Sequence, residues 1–236
     1  MRKIVSIACS IALLIVGVYA QTDKASSSGL DTVLNSMDKA SANFRSAEAD
    51  FTWDLYEKVV DSTDTQKGKI YFRRNGNQIQ MAAEITEPAS EHKNVLYDGK
   101  KLRLYQPKID QVTEYDAAKN RSTVEAFLVL GFGGRGHDLQ SRFDVSLKGT
   151  ENVMGVEASK LDLVPKDPKG KNIFSHILLW IDPARGISVQ QQFFEPNGNY
   201  RLAKYSDIKL NQNISADAFK LKTTGRTKVV NSGGGF

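Results

Sequence analysis

With 236 residues and 32 lysines and arginines against 27 aspartates and glutamates, the chain carries a mild net charge of +5. That charge is too small and too evenly spread to indicate nucleic acid as a partner. A single cysteine, Cys9, excludes a disulfide framework, so stability must come from an ordinary core.

Arg2 and Lys3 precede an apolar run from Ile4 to Val18, and Val18-Tyr19-Ala20 stands ahead of Gln21. A basic start, a short apolar core and small or apolar residues at −3 and −1 predict a cleaved secretory signal over residues 1–20. The run is shorter than the ~20 residues of a spanning helix, which argues against a permanent anchor. Ser6-Ile7-Ala8-Cys9 faintly resembles a lipoprotein processing site, but it leaves too short an apolar stretch ahead of Cys9. Cleavage after Ala20 removes the only thiol and leaves 30 basic against 27 acidic residues, in keeping with export to a Gram-negative-type periplasm.

Residues 21–29 contain the Ser/Gly-rich Ala25-Ser-Ser-Ser-Gly29 and predict a flexible linker. The body then runs over residues 30–225 as one domain. Leu30, Val33, Leu34, Met37 and Ala40, with Phe44 a turn later, recur at helical spacing, and Asp31, Asn35 and Asp38 fall on the other face. From Ala47 to Leu55 the period becomes two: Ala47, Ala49, Phe51, Trp53 and Leu55 alternate with polar residues, the mark of a strand with one dry face. Ile70 and Phe72 share a face, as do Ile79, Met81, Ala83 and Ile85.

Strands at Val95–Tyr97 and Leu102–Tyr105 flank Asp98-Gly99, expected to supply the positive-φ residues of a tight hairpin, and Gln111-Val112-Thr113 resumes the ladder after Pro107. Ser122 to Leu130 predicts a short helix capped by Ser122 and Glu125, carrying Val124, Phe127, Leu128 and Leu130. It ends in Gly131-Phe-Gly-Gly-Arg-Gly136, a helix stop and hinge. Further strands are expected around Phe143–Leu147, Val156–Leu163, Ile173–Ile181, Ile187–Phe194 and Tyr200–Leu210. Asp182-Pro-Ala-Arg-Gly186 and Pro196-Asn-Gly-Asn199 supply turns between them. Residues 226–236, ending Ser232-Gly-Gly-Gly235, predict a flexible tail. The basic run from Lys220 to Lys228 is either a solvated last strand or a contact for an acidic partner or anionic lipid.

Catalytic patterns are missing. His92, His137 and His176 share no metal-ligand spacing and read as surface or strand histidines. Neither a Gly-x-Ser-x-Gly elbow nor a His-Glu-x-x-His pair occurs. The Gly131–Gly136 run lacks the Lys-Ser/Thr of a phosphate loop and follows a helix, not a strand. The chain therefore reads as a non-enzyme needing no cofactor. By periodicity alone the stripe of Phe51, Trp53, Leu55, Ile70, Phe72, Met81 and Leu104 is plain core.

Several segments, in order, resemble the periplasmic lipoprotein carriers of the LolA family. The best match is YDGKKLRLYQPKIDQVT, Tyr97 to Thr113, similar to that family's central strands. Ala49-Asp-Phe-Thr52, Gly68-Lys-Ile-Tyr-Phe-Arg-Arg74, the apolar helix around Phe127 and Leu161-Asp-Leu-Val-Pro165 are similar to its successive elements, and Asn213 to Leu221 resembles its closing strand. The resemblance implies a mainly β fold: an incomplete, strongly curved antiparallel β-barrel with helices forming a lid over an apolar cavity. It implies binding of lipoprotein acyl chains by Phe51, Trp53, Leu55, Ile70, Phe72, Met81, Leu104, Phe127, Leu128 and Leu130. It further implies an arginine latch, for which Arg74 matches best and Arg73 lies one residue away; Asn75-Gly76 stand where the family often has a proline. Acylated lipoproteins would be the cargo of a monomer working between an inner-membrane releasing transporter and an outer-membrane acceptor. The alternative is a lipid- or lipoprotein-sensing module of the same fold in envelope signalling.

Overall fold

A computed structural model of the chain describes residues 19–76, 78–116 and 130–232, with side chains from residue 28 onward. The period-two segments become one curled sheet of twelve strands, in the order β12-β6-β5-β4-β3-β2-β1-β11-β10-β9-β8-β7, that does not close into a barrel. One antiparallel meander comprises β1 (Ser46–Glu57), β2 (Ser62–Asn75), β3 (Gln78–Glu87), β4 (Lys93–Tyr97), β5 (Lys101–Gln106) and β6 (Gln111–Asp116). A second comprises β7 (Phe143–Val153), β8 (Val156–Pro165), β9 (His176–Asp182), β10 (Ile187–Phe194) and β11 (Tyr200–Leu210). Pairing of β1 with β11 joins them.

Register explains why the apolar stripes fall inside. Leu102, Tyr97, Met81, Phe72 and Ala47 face one another across five strands, and Leu104, Val95, Ala83, Ile70 and Ala49 form the next row. A one-residue slip anywhere would turn these rows to solvent, so burial fixes the pairing. Helix α1 (Tyr19–Asn43) packs Val33, Leu34 and Met37 against Leu161, Leu163, Ile177, Leu179 and Ile181 of β8 and β9. It thus covers the half of the inner face built by the second meander. The connection from β6 to β7 is described from residue 130 onward, and that part lies against the inner face. It includes the Gly131–Gly136 loop and α2 (Gly136–Arg142).

Several sequence expectations are corrected. The segment expected to be a linker, 21–29, lies within α1; it contains no proline to stop the helix. Asp98 does not take a positive φ: Gly99 alone does, at 96°, while the Asp98 carboxylate accepts bonds from the amides of Lys100 and Lys101. Ile173 closes the short helix α3 (Pro168–Ile173), because Pro168 is preset for a first helical turn, and β9 starts only at His176. The Asn213–Leu221 segment is not a strand. It crosses the outer face as a strap whose 3-10 turn, Ala216–Phe219, packs Phe219 on Ala82, Leu96 and Tyr71.

The tail expected to be flexible forms β12 (Lys228–Asn231), which pairs with β6 in parallel, the one departure from an antiparallel sheet among the described strands. Its anchor is Asp110, held at φ 45°. The Asp110 carboxylate accepts from Thr224 and Thr227 hydroxyls at 2.6 Å each, and its carbonyl accepts from the Lys228 amide at 2.9 Å. Those hydroxyl bonds also hold the Asp110 carboxyl below its usual range.

Candidate functional site

The half of the inner face that α1 leaves bare is filled from the Gly131–Gly136 loop. Phe132 enters it with no exposed surface, stacks on Phe72 with ring centroids 4.5 Å apart and meets Tyr205 edge-on at 5.0 Å. Phe44, Phe51, Ile79, Met81, Ile85 and Tyr97 belong to the same buried cluster. Glycine is required on both sides of Phe132, since Gly131 and Gly133 each adopt φ 77°. A side chain at Gly133 would also meet the Phe44 ring at 2.5 Å. The loop is therefore shaped to insert one aromatic ring into an otherwise open sheet.

Hydrogen bonds to loop carbonyls hold the ring in place. Arg74 Nη2 donates to Gly133 O at 2.9 Å and to Ser41 O at 3.2 Å, and its Nε donates to Phe44 O at 3.0 Å. One guanidinium thus ties the loop to the end of α1, a task that suits its rigid planar fork. Ser41 Oγ adds a bond to Gly133 O at 2.7 Å, and the Ser188 amide donates to Gly131 O at 3.0 Å. A buried relay fixes the other end: Tyr205 OH donates to Gln191 Oε1 at 3.1 Å, and Gln191 Nε2 donates to Leu130 O. Burial pushes the Tyr205 phenol well above its ordinary range, so it stays a neutral donor.

A second tie joins α1 to α2. His137 Nδ1 lies 2.7 Å from Asp38 Oδ2, its Nε2 lies 3.4 Å from Asp31, and its amide donates to Asp38 Oδ1 at 3.2 Å. Arg135 approaches the same carboxylate at 3.9 Å. The bond to Asp38 raises the His137 pKa; burial opposes this and Asp31 adds to it. Burial on its own raises the Asp38 carboxyl, but the bonds from His137, with the charge of Arg135, hold it below the usual range. Asp38, expected on the wet face of α1, is therefore turned to a partner 99 residues away. A cavity of about 400 Å³ opens between these ties, walled by Met37, Ile79, Leu130, Leu139, Phe143 and Arg74.

The stripe read from the sequence separates into parts. Phe51, Phe72 and Met81 are buried around Phe132, with Trp53 and Ile70 packed at their margin. Leu104 lies on the inward row beside Val95, and Leu55, near the far end of β1, belongs to none of the buried clusters. Leu130 is buried in the α1 cluster instead. Phe127 and Leu128 lie outside the described residues. Arg73, adjacent to Arg74, faces outward, its guanidinium 4.0 Å above the Phe219 ring. Phe132, Gln191 and the His137–Asp38 pair were not singled out as site residues from the sequence. The available signal was the aromatic residue flanked by glycines.

A curled sheet closed by one helix and one inserted loop defines a class of fold, and comparison gives the family. The model of the family described as outer membrane lipoprotein carrier protein LolA matches residues 42–222, and the chain belongs to that family. Among solved structures, an uncharacterized conserved protein from Thermus thermophilus matches with a TM-score of 0.55 at 14% identity, over 86% of this chain and 99% of that one. The MucA/MucB complex of Pseudomonas aeruginosa matches with a TM-score of 0.50 at 17% identity, over 82% and 61%. The Mycobacterium tuberculosis lipoprotein LppX matches with a TM-score of 0.51 at 13% identity, over 80% and 99%. At such identities the likeness is one of fold. No curated protein matches the chain. Among the described residues no helix is long and apolar enough to cross a membrane.

Proposed function

We propose that the protein is a periplasmic carrier that takes the acyl chains of lipoproteins into the inner face of its sheet and delivers them to the outer membrane, without covalent chemistry. The observation that carries this reading is Phe132, a fully buried ring that occupies the face through a glycine-flanked loop tied mainly to carbonyl oxygens. Such a plug is replaceable: an acyl chain that enters as Phe132 leaves covers the same Phe51, Phe72 and Met81 surface. Trp53, Leu55, Ile70, Leu104 and Leu130 extend that lining, and Phe127 and Leu128 join it on sequence grounds alone. Arg74 is the latch.

Burying acyl methylenes is worth about 0.8 kcal/mol each, so one long chain contributes on the order of 10 kcal/mol gross. Competition from the plug lowers the apparent affinity by the fraction of molecules in the open state, which keeps the cargo transferable. Native mass spectrometry of protein purified from periplasm, with displacement of a fluorescent fatty acid, tests the reading. Bound or competing acylated species are expected; absence of both refutes it. The fold shared with MucB of the MucA/MucB complex supports a second reading, an envelope sensor with a protein partner. Capture of one dominant regulator by the purified chain, with no acylated cargo, would favour that reading.

A further inference from the structure

We infer that a cleft on the outer face, beside the latch but separate from the inner site, binds an anionic group of the phosphate class. The cleft has a volume of about 440 Å³ and lies where the strap leaves β11, beside the start of β1 and the end of β2. Arg45, Arg73, Asn211, Gln212 and Asn213 are among its lining residues, and none of the lining residues is a carboxylate.

The local backbone is built to hold this arrangement. Asn211 takes a left-handed φ of 57°, and its Oδ1 accepts from the amides of Arg45 at 2.8 Å and Ser46 at 3.4 Å. Ser46 Oγ donates to Gln212 O at 2.6 Å, and the Asn211 amide donates to Ser46 O at 2.8 Å. Strap and strand are thereby locked together beneath Arg45.

Arg73 is pre-positioned in the same sense. Its Nε donates to Gln80 Oε1 at 2.8 Å and its guanidinium lies on Phe219. Its two Nη nitrogens have no protein partner among the described residues, and neither has the Arg45 guanidinium. The neighbouring carboxylates are already engaged: Glu48 with Lys69 and Lys209, Asp207 with Lys209. Two unneutralised guanidinium groups, one of them immobilised by stacking, suit the oxygens of a phosphate, which accept paired charge-assisted hydrogen bonds. Either a free phosphate or a phospholipid headgroup supplies that chemistry.

The test is a titration of the full mature chain with sodium phosphate, and separately with dihexanoyl phosphatidylglycerol below its micelle concentration. Each is compared with sodium chloride at equal ionic strength, and the thermal midpoint and the binding isotherm are read. The parent is expected to bind and be stabilised. Arg45→Gln and Arg73→Gln should each weaken binding about tenfold or more, the effect of losing one charged hydrogen bond, and the pair should abolish it. Lys220→Gln, elsewhere on the strap, should leave it unchanged. Stabilisation by phosphate identifies the free ion as sufficient, and stabilisation by the phospholipid alone identifies the headgroup. Because Arg45 is exposed, Arg45→Gln keeps the fold even where the double variant does not. Binding of neither probe, or binding unaltered by Arg45→Gln, overturns the proposal without bearing on acyl binding at the inner face.

Discussion

Replacing Phe132 by alanine separates a packing role from a plug role. The ring is fully buried and makes a stacked contact with Phe72 and an edge contact with Tyr205. Truncating such a ring typically costs about 3–5 kcal/mol, the sum of lost transfer, two aromatic contacts and the cavity left behind. Either role predicts a lower midpoint of thermal unfolding. They differ for ligand. If Phe132 occupies the acyl site, the cost falls on the closed state alone, and a chain entering the vacated space recovers the lost contacts. Each 1.4 kcal/mol taken from the closed state then tightens apparent binding about tenfold, up to about a hundredfold before the open state dominates. The assay is displacement of an environment-sensitive fatty acid from Phe132→Ala and parent protein, with near-UV circular dichroism to establish that both are folded. Unchanged or weaker binding by a folded variant refutes the reasoning.

Three other predictions use different measurements. Arg74→Ala removes three bonds to carbonyl oxygens and should accelerate amide exchange over 130–136 and slow release of bound acyl probe several-fold, about 1 kcal/mol in all given the exposure of the arginine; Arg74→Lys should not restore the parent rates, since an ammonium lacks the fork. The α1–α2 tie should be strongest at mildly acid pH. The folded His137 pKa lies above its ordinary 6.5, so its stabilisation is complete below that value and is lost as pH rises through the raised one. The Asp38 pKa lies below 3.8, so its contribution is present above 3.8 and is lost as pH falls through the lowered one. A thermal midpoint that falls above pH 6.5 in the parent and not in His137→Gln checks this. Asp110→Ala should release β12, raising exchange at Lys228–Asn231 while the global midpoint moves little, because all four residues are exposed.

Much of the scaffold was legible because periodicity reports burial. The α1 face of Val33, Leu34 and Met37 and the inward rows through Phe72 and Ile70 are read directly from spacings of 3.6 and 2. What escaped depends on contacts distant in sequence or on single residues. Phe132 sits in a glycine run and has no period, and its meaning arises only when it packs against Phe72 and Tyr205, both distant in sequence. Asp38 looked solvated because its partner, His137, is brought to it by the crossing of α1 and α2. β12 is four residues long and adds to the edge only because Asp110 orients the preceding turn through Thr224 and Thr227. Arg73 and Arg74 are neighbours in sequence, yet alternation sends one to the outer strap and the other to the loop.

The exchange of the amides of residues 130–136, followed by mass spectrometry with and without a bound acyl chain, tests the plug most directly. A ligand that merely docks on a finished surface slows exchange around it. Displacement of Phe132 unpacks the loop and breaks the bonds its carbonyls accept from Ser188, Gln191, Ser41 and Arg74, so binding should speed exchange of the Ser188 amide and of the loop amides that opening exposes to water, while the strands of the inner rows become better protected. Saturable acyl binding with unchanged or slower exchange in the loop would contradict the account.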